Sequence, residues 1–240
     1  MRRAVLTLCL AMTAVPVAGG LAQTPLHLDG RLLPMVSDSY AIYYLRGSDT
    51  MPAGVLSDKL EVHGDTLTRR YSEYKRATGR DEDVIVSHLP DLRPLSYTGE
   101  SPEMVAAIRF SADSAQGWMK TPDGDSVPIR VPTGAGVYDG TSFDLVVRAS
   151  PLHDGFELTV PIFVEGTNAV TTVGGRVTGA DSIDGHDCWV FAGHFGQMSV
   201  TFWIDKANRE LRQQLLRPSV TFAILYSPHR LRAAPKRPST

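Results

Sequence analysis

Excess charge, paired cysteines and long apolar runs are all missing from this 240-residue chain. Only 21% of its residues are charged, and 24 basic against 26 acidic residues leave a formal net charge of −2. That is too little self-repulsion for charge-driven disorder, and it lacks the basic excess that marks a nucleic-acid binder. Cys9 and Cys188 are the only cysteines. No apolar stretch reaches the roughly 20 residues of a membrane-spanning helix. Catalytic signatures are missing too: there is no Gly-x-Ser-x-Gly elbow, no His-Glu-x-x-His and no Walker loop. Gly134-Ala-Gly136 has neither a third glycine nor a following Lys-Ser/Thr, so it reads as a turn and not as a phosphate loop. Nothing in the chain asks for a cofactor.

What is present begins with an export signal. Arg2 and Arg3 precede an apolar run from Ala4 to Val15, then Pro16 and small residues up to Ala22. A basic start, a short apolar centre and small residues at Gly20 and Ala22 predict cleavage between Ala22 and Gln23. The protein is then periplasmic or secreted, with a net charge of −4 once Arg2 and Arg3 are lost. Cys9 leaves with the signal and lacks the small neighbours of a lipoprotein site. Cys188 is then the only mature cysteine, so no internal disulfide can form. The expected layout is a signal over 1–22, an N-terminal segment over 23–35, one β domain over 36–227 and a disordered basic tail over 228–240. A touch of that tail on anionic lipid is the sharper alternative, so membrane association is peripheral at most. Nothing in the pattern sets an oligomeric state.

With 21 Gly and 16 Pro, the domain reads as short strands and turns. Runs such as Tyr40–Leu45, Val55–Val62, Leu67–Lys75, Asp83–His88 and Met104–Phe110 recur about every ten residues. Ser126–Val131 alternates Val127, Ile129 and Val131 with Ser126, Pro128 and Arg130, the mark of a one-sided strand. One interruption falls over 139–149, where Asp139 is placed to cap a short helix carrying Phe143, Val146 and Val147 on one face. The fold expected is mainly β: a curved, partly closed antiparallel sheet with one short helix.

Polar chemistry concentrates at His186-Asp187-Cys188, with His194 beyond. Along one strand, eight residues span about 26 Å, so His186 and His194 cannot share a metal ion, and no metal site is expected. Cys188 lies between Asp187 and Trp189, which raise a thiol pKa, so it should be buried, unpaired and inert. No histidine pairs with a carboxylate at a recognisable spacing, and Glu157 and Glu165 take the outward parity of their strand.

A ligand surface is expected on the hairpin of Asp187–Ala192 and Met198–Ile204, with Gly193–Gln197 as its loop. Val190 opposite Val200 and Cys188 opposite Phe202 make one apolar face. The other face then carries Trp189, Phe191 and Trp203 among small hydroxyls. Two accounts of that face stand: a removable lipid covers it, or the 139–149 helix does.

The second half has a recognisable order. Phe143-Asp-Leu-Val-Val-Arg148 leads through Pro151-Leu152 to Gly155-Phe-Glu-Leu. Gly174-Gly-Arg-Val177, Asp184-Gly185-His-Asp-Cys188-Trp189-Val190 and Phe202-Trp203-Ile204-Asp205-Lys206 follow. This order resembles the DUF3108 family of exported bacterial proteins over about residues 138–226, and over 36–131 in strand rhythm. Arg176 stands where the family usually has an acidic residue. The resemblance implies fold and compartment but no catalytic residue, since the family has no established activity. Its sheet is similar in turn to the curved sheets of periplasmic lipoprotein and lipid carriers. The function expected is a non-enzymatic binding or carrier module for an apolar ligand, such as a lipid, or for an envelope protein. An envelope-acting hydrolase and a structural adaptor are the alternatives.

Overall fold

The computed structural model describes residues 26–228; the expected signal peptide and nearly all of the basic tail lie outside them. Fifteen strands form a single sheet. The first eight are β1 (Ser37–Arg46), β2 (Asp49–His63), β3 (Thr66–Lys75), β4 (Gly79–His88), β5 (Pro94–Glu100), β6 (Val105–Phe110), β7 (Ser114–Lys120) and β8 (Ser126–Pro132). After β9 (Tyr138–Asp139), a 3-10 turn at Gly140–Ser142 runs into α1 (Phe143–Arg148). The remaining strands are β10 (Glu157–Val164), β11 (Ala169–Ile183), β12 (His186–Phe195), β13 (Met198–Asp205), β14 (Leu211–Ser219) and β15 (Phe222–Ser227). All neighbours pair antiparallel except β9 and β10, which are parallel. β5 and β9 have no counterpart among the runs read from the sequence.

Connectivity forces this sheet to curl. The spatial order runs from β8 down to β1, crosses to β15, and runs down again to β9. Strands β8 and β9 are therefore the two edges of the sheet, yet they are consecutive in the chain. Laid flat, fifteen strands at about 4.8 Å spacing would part the edges by roughly 67 Å. Residues 133–137, which join them, reach only about 20 Å when fully extended. The edges must come round toward each other. They do so without pairing, so the sheet is curled and open. Phe110 on β6 meets Phe163 on β10 edge to face, with ring centroids 5.6 Å apart.

Inside the curl lies α1, and all six of its residues are buried. A helix this short is marginal alone, so packing holds it. Phe143 meets Phe191 and Phe202, with centroids at 6.2 and 5.9 Å. Leu28 and Leu33, upstream of β1, join the same core. A smaller second core joins Ile85, Tyr97, Ile108 and Ile129 to Phe163. Asp139 does not cap this segment: its side chain makes no cap hydrogen bond.

The expected register of the β12–β13 hairpin is wrong by three residues. Phe195 faces Met198 across a two-residue turn, Gly196-Gln197, with Gly196 at φ +61. Glycine leading such a turn is the tight-hairpin signature, and the longer loop expected over 193–197 concealed it. Because side chains alternate, an odd displacement exchanges face partners. Phe191 now opposes Phe202, and Trp189 opposes Ile204. Trp203 opposes Val190 on the other face. Trp189, Phe191 and Trp203 therefore do not share a surface.

Candidate functional site

The inner face carries more charge than a core normally holds. On β2, Leu56, Asp58 and Leu60 point inward; on β3, Leu67, Arg69 and Glu73 do. Arg69, 2% exposed, grips Asp58 through Nε at 2.8 Å and Nη2 at 2.6 Å. Its Nη1 donates to Asp144 of α1 and to the Thr141 carbonyl, both at 2.7 Å. Burial opposes the charge on Arg69, but Asp144 and Asp58 outweigh it and hold its pKa well above the usual value. Arg148 reaches Asp144 at 3.4 Å and donates from Nε to the Arg209 carbonyl at 2.8 Å. Two cations against two carboxylates leave this group neutral, and it ties the helix to both sides of the curl.

A second charged group is not balanced. The parallel pairing of β9 sets Asp139 level with Phe163, and Glu165 follows two residues on, with the same parity. Glu165 is 8% exposed and Asp139 1%. The two carboxyls lie close enough for each to feel the other's charge, and like charges so placed disfavour ionising together. Burial, and then the charge of Asp139, push Glu165 well above its ordinary range; burial raises Asp139 as well. Neither Asp139 oxygen nor Glu165 Oε1 has a hydrogen-bond partner. Nearby, Tyr97 donates to Asp83 at 2.7 Å, and burial raises the Asp83 pKa. This corrects two readings: Glu165 is not on a solvated face, and Asp139 lies buried beside Glu165 without capping the helix.

Glu165 borders a cavity of about 290 Å³. One wall is apolar, built from Phe143, Phe195, Met198, Val200, Phe202 and Leu216; Arg69, Asp144, Glu165 and Gln214 are polar positions on its lining. Gly140 lies on its edge, where an added Cβ would stand 3.5 Å from Glu165 Oε2. Tyr71 and Asp83 border this cavity and also a second one of about 380 Å³, lined by Glu73, Lys75, Asp81, Glu100 and Glu103 among others.

None of the three aromatics expected to bind ligand lines either cavity. Phe191 is fully buried and stacks on Phe202, behind the apolar wall. Trp189 is half-buried, with the Arg209 guanidinium 4.7 Å from its ring centroid. Trp203, facing outward, donates from Nε1 to Asp181 at 3.2 Å.

Cys188 is buried and free, and burial raises its pKa. A thiol that is protonated and closed to solvent is no nucleophile. Two histidines do find carboxylates: His186 Nδ1 meets Asp205 at 2.8 Å, and His88 Nδ1 meets Asp91 at 2.7 Å. Spacing hides the first pair because the β12–β13 register creates it. Partial burial opposes the charge on Asp205, yet the Ala207 amide and Arg212 hold its carboxyl below the usual range. Among the described residues no cluster of three or more His, Cys, Asp or Glu is placed to hold a metal ion.

These features define an all-β protein whose single open sheet curls around a buried helix and a polar-floored cavity. The chain belongs to the DUF3108 family, a protein family of unknown function whose profile matches residues 39–218. That span takes in the first half of the sheet as well as the second. No curated protein matches the chain. Among solved structures, it is similar to a beta-barrel-like protein of domain of unknown function DUF1849 from Brucella abortus. The identity there is 10%, with 81% of this chain and 96% of that chain covered, at a TM-score of 0.45.

Proposed function

We propose that the chain is an exported, non-enzymatic binding module that takes up an apolar or amphiphilic ligand inside its curled sheet. The observation that carries this reading is the 290 Å³ cavity, with its wall of Phe, Met, Val and Leu and a few polar groups at one side. Apolar concavities with a few convergent polar groups are where small molecules bind. Cys188, buried and with its thiol pKa raised by burial, offers hydrolysis no nucleophile. Export rests on Arg2-Arg3, the apolar run and Gly20-x-Ala22.

Titration with the uncharged fluorophore N-phenylnaphthylamine tests the cavity. Saturable enhancement is expected, and Leu216→Trp, which fills the space opposite Val200, should remove it while leaving the circular dichroism and melting curve intact. A parent protein that gives no enhancement loses the binding reading. N-terminal sequencing of envelope material should begin at Gln23; intact Met1 in cytoplasmic material would remove the exported part.

A further inference from the structure

Glu165 faces two ways. Its Oε1 is hidden and has no hydrogen-bond partner. Its Oε2 stands by Gly140 on the border of the cavity. The whole side chain is only 8% exposed, so bulk water does little for it. The groups around it come from five elements: Asp139 on β9, Asp83 on β4, Tyr97 on β5, Arg69 on β3 and Asp144 on α1. Arg69 is the only cation among them, and Asp58 and Asp144 already engage it at 2.6 and 2.7 Å. The carboxyl pair therefore carries negative charge that no neighbouring cation matches.

The approach to this point has the same sign. The adjoining 380 Å³ cavity presents Glu73, Asp81, Asp83, Glu100 and Glu103, with Lys75 as its one cation. Lys75 is spent on Glu73 at 2.5 Å. A low-dielectric cleft lined by one sign of charge concentrates the opposite sign.

We propose that the cavity selects an alkyl amphiphile with an ammonium head, the head seated on Glu165 Oε2 and the chain lying along Phe195, Met198, Val200, Phe202 and Leu216. This rests on the cavity being the ligand site. An ammonium supplies three donors to a carboxyl pair in which three oxygens lack one, and places a positive charge where the pair leaves an unmatched negative one. An anionic head would meet the acidic cleft and the carboxyl pair, and would be repelled.

The test displaces N-phenylnaphthylamine from the native full-length protein with decylammonium, decanol and decanoate at neutral pH. Decylammonium should compete at least about tenfold better than decanoate, the gap that one hydrogen bond to a charged group provides. Decanol should fall between them. In Glu165→Gln the ammonium advantage should shrink toward the decanol value while decanol itself is unchanged. The ligand series on the unmutated protein stands even where that variant fails to fold. Decanol displacing the dye with decylammonium no better than decanoate would overturn the head-group assignment and leave the cavity reading in place. None of the three displacing the dye would overturn the cavity reading itself.

Discussion

Single residues carry the unusual energetics of this interior, because charges sit where a core would ordinarily be apolar. Glu165 has an ordinary pKa of 4.5, which burial and Asp139 raise in the folded chain. Between 4.5 and the raised value, the native state keeps a proton that the unfolded chain has released. Stability must therefore fall as pH rises through that window, with a slope of about 1.4 kcal/mol per pH unit. Glu165→Gln keeps the neutral shape and has nothing to ionise. Its unfolding midpoint should gain on that of the parent steadily above about pH 4.5. Parallel denaturant melts across pH check this, and two curves of equal slope would refute it. Arg69→Met leaves Asp58 and Asp144 buried without their shared cation. A broken buried pair costs about 3–5 kcal/mol, so the variant should unfold at far lower urea; a loss under about 1 kcal/mol would mean water already screens the group.

At the scale of elements, legibility followed alternation and failed where backbone pairing set the geometry. Strand β8 was readable because Val127, Ile129 and Val131 alternate. The helix was readable from Phe143, Val146 and Val147, and so was its covering of Phe191, as one of two ways to bury that face. The β12–β13 register was not, because Gly193 and Gly196 both resemble loop residues and only Gly196 turns the chain. Gly193 opposes Gly175, where an added Cβ would lie 2.8 Å from the Phe191 ring, so these glycines make room for an aromatic within the sheet. The Asp139–Glu165 pair depends on a two-residue parallel strand, which leaves no periodic trace. Arg69 and Glu73 did leave one: they share parity with Leu67, and that places charge on the inner face. The register itself can be tested. Phe191→Ala removes a fully buried ring and should cost about 3–5 kcal/mol. Trp203→Ala, outward and half-buried, should cost about 1 kcal/mol. Equal losses in chemical denaturation would restore the shared aromatic face.

For the whole molecule, the question is what keeps an unclosed sheet curled. The five residues of 133–137 limit how far the edges part, but a tether sets a maximum distance and no packing. Contact across the gap comes from Phe163 of β10, which leaves the core around α1 to join Ile85, Tyr97 and Ile108. Phe110 closes on it edge to face, and β9 rests against β5. Strands β5–β8 thus depend on a small core and one ring pair, while β10–β14 pack on the helix and its neutral ion network. Regions with few buried apolar contacts open first, below the free energy of global unfolding. Phe110→Ala removes one half of the bridging ring pair without touching the larger core. Amide exchange in β5–β8 should then quicken well beyond that in β10–β14, with the latter close to its parent rates. Uniform quickening across all fifteen strands would mean that the two cores unfold as one unit, and that the curl is held by the continuous ladder instead of by contact across its gap.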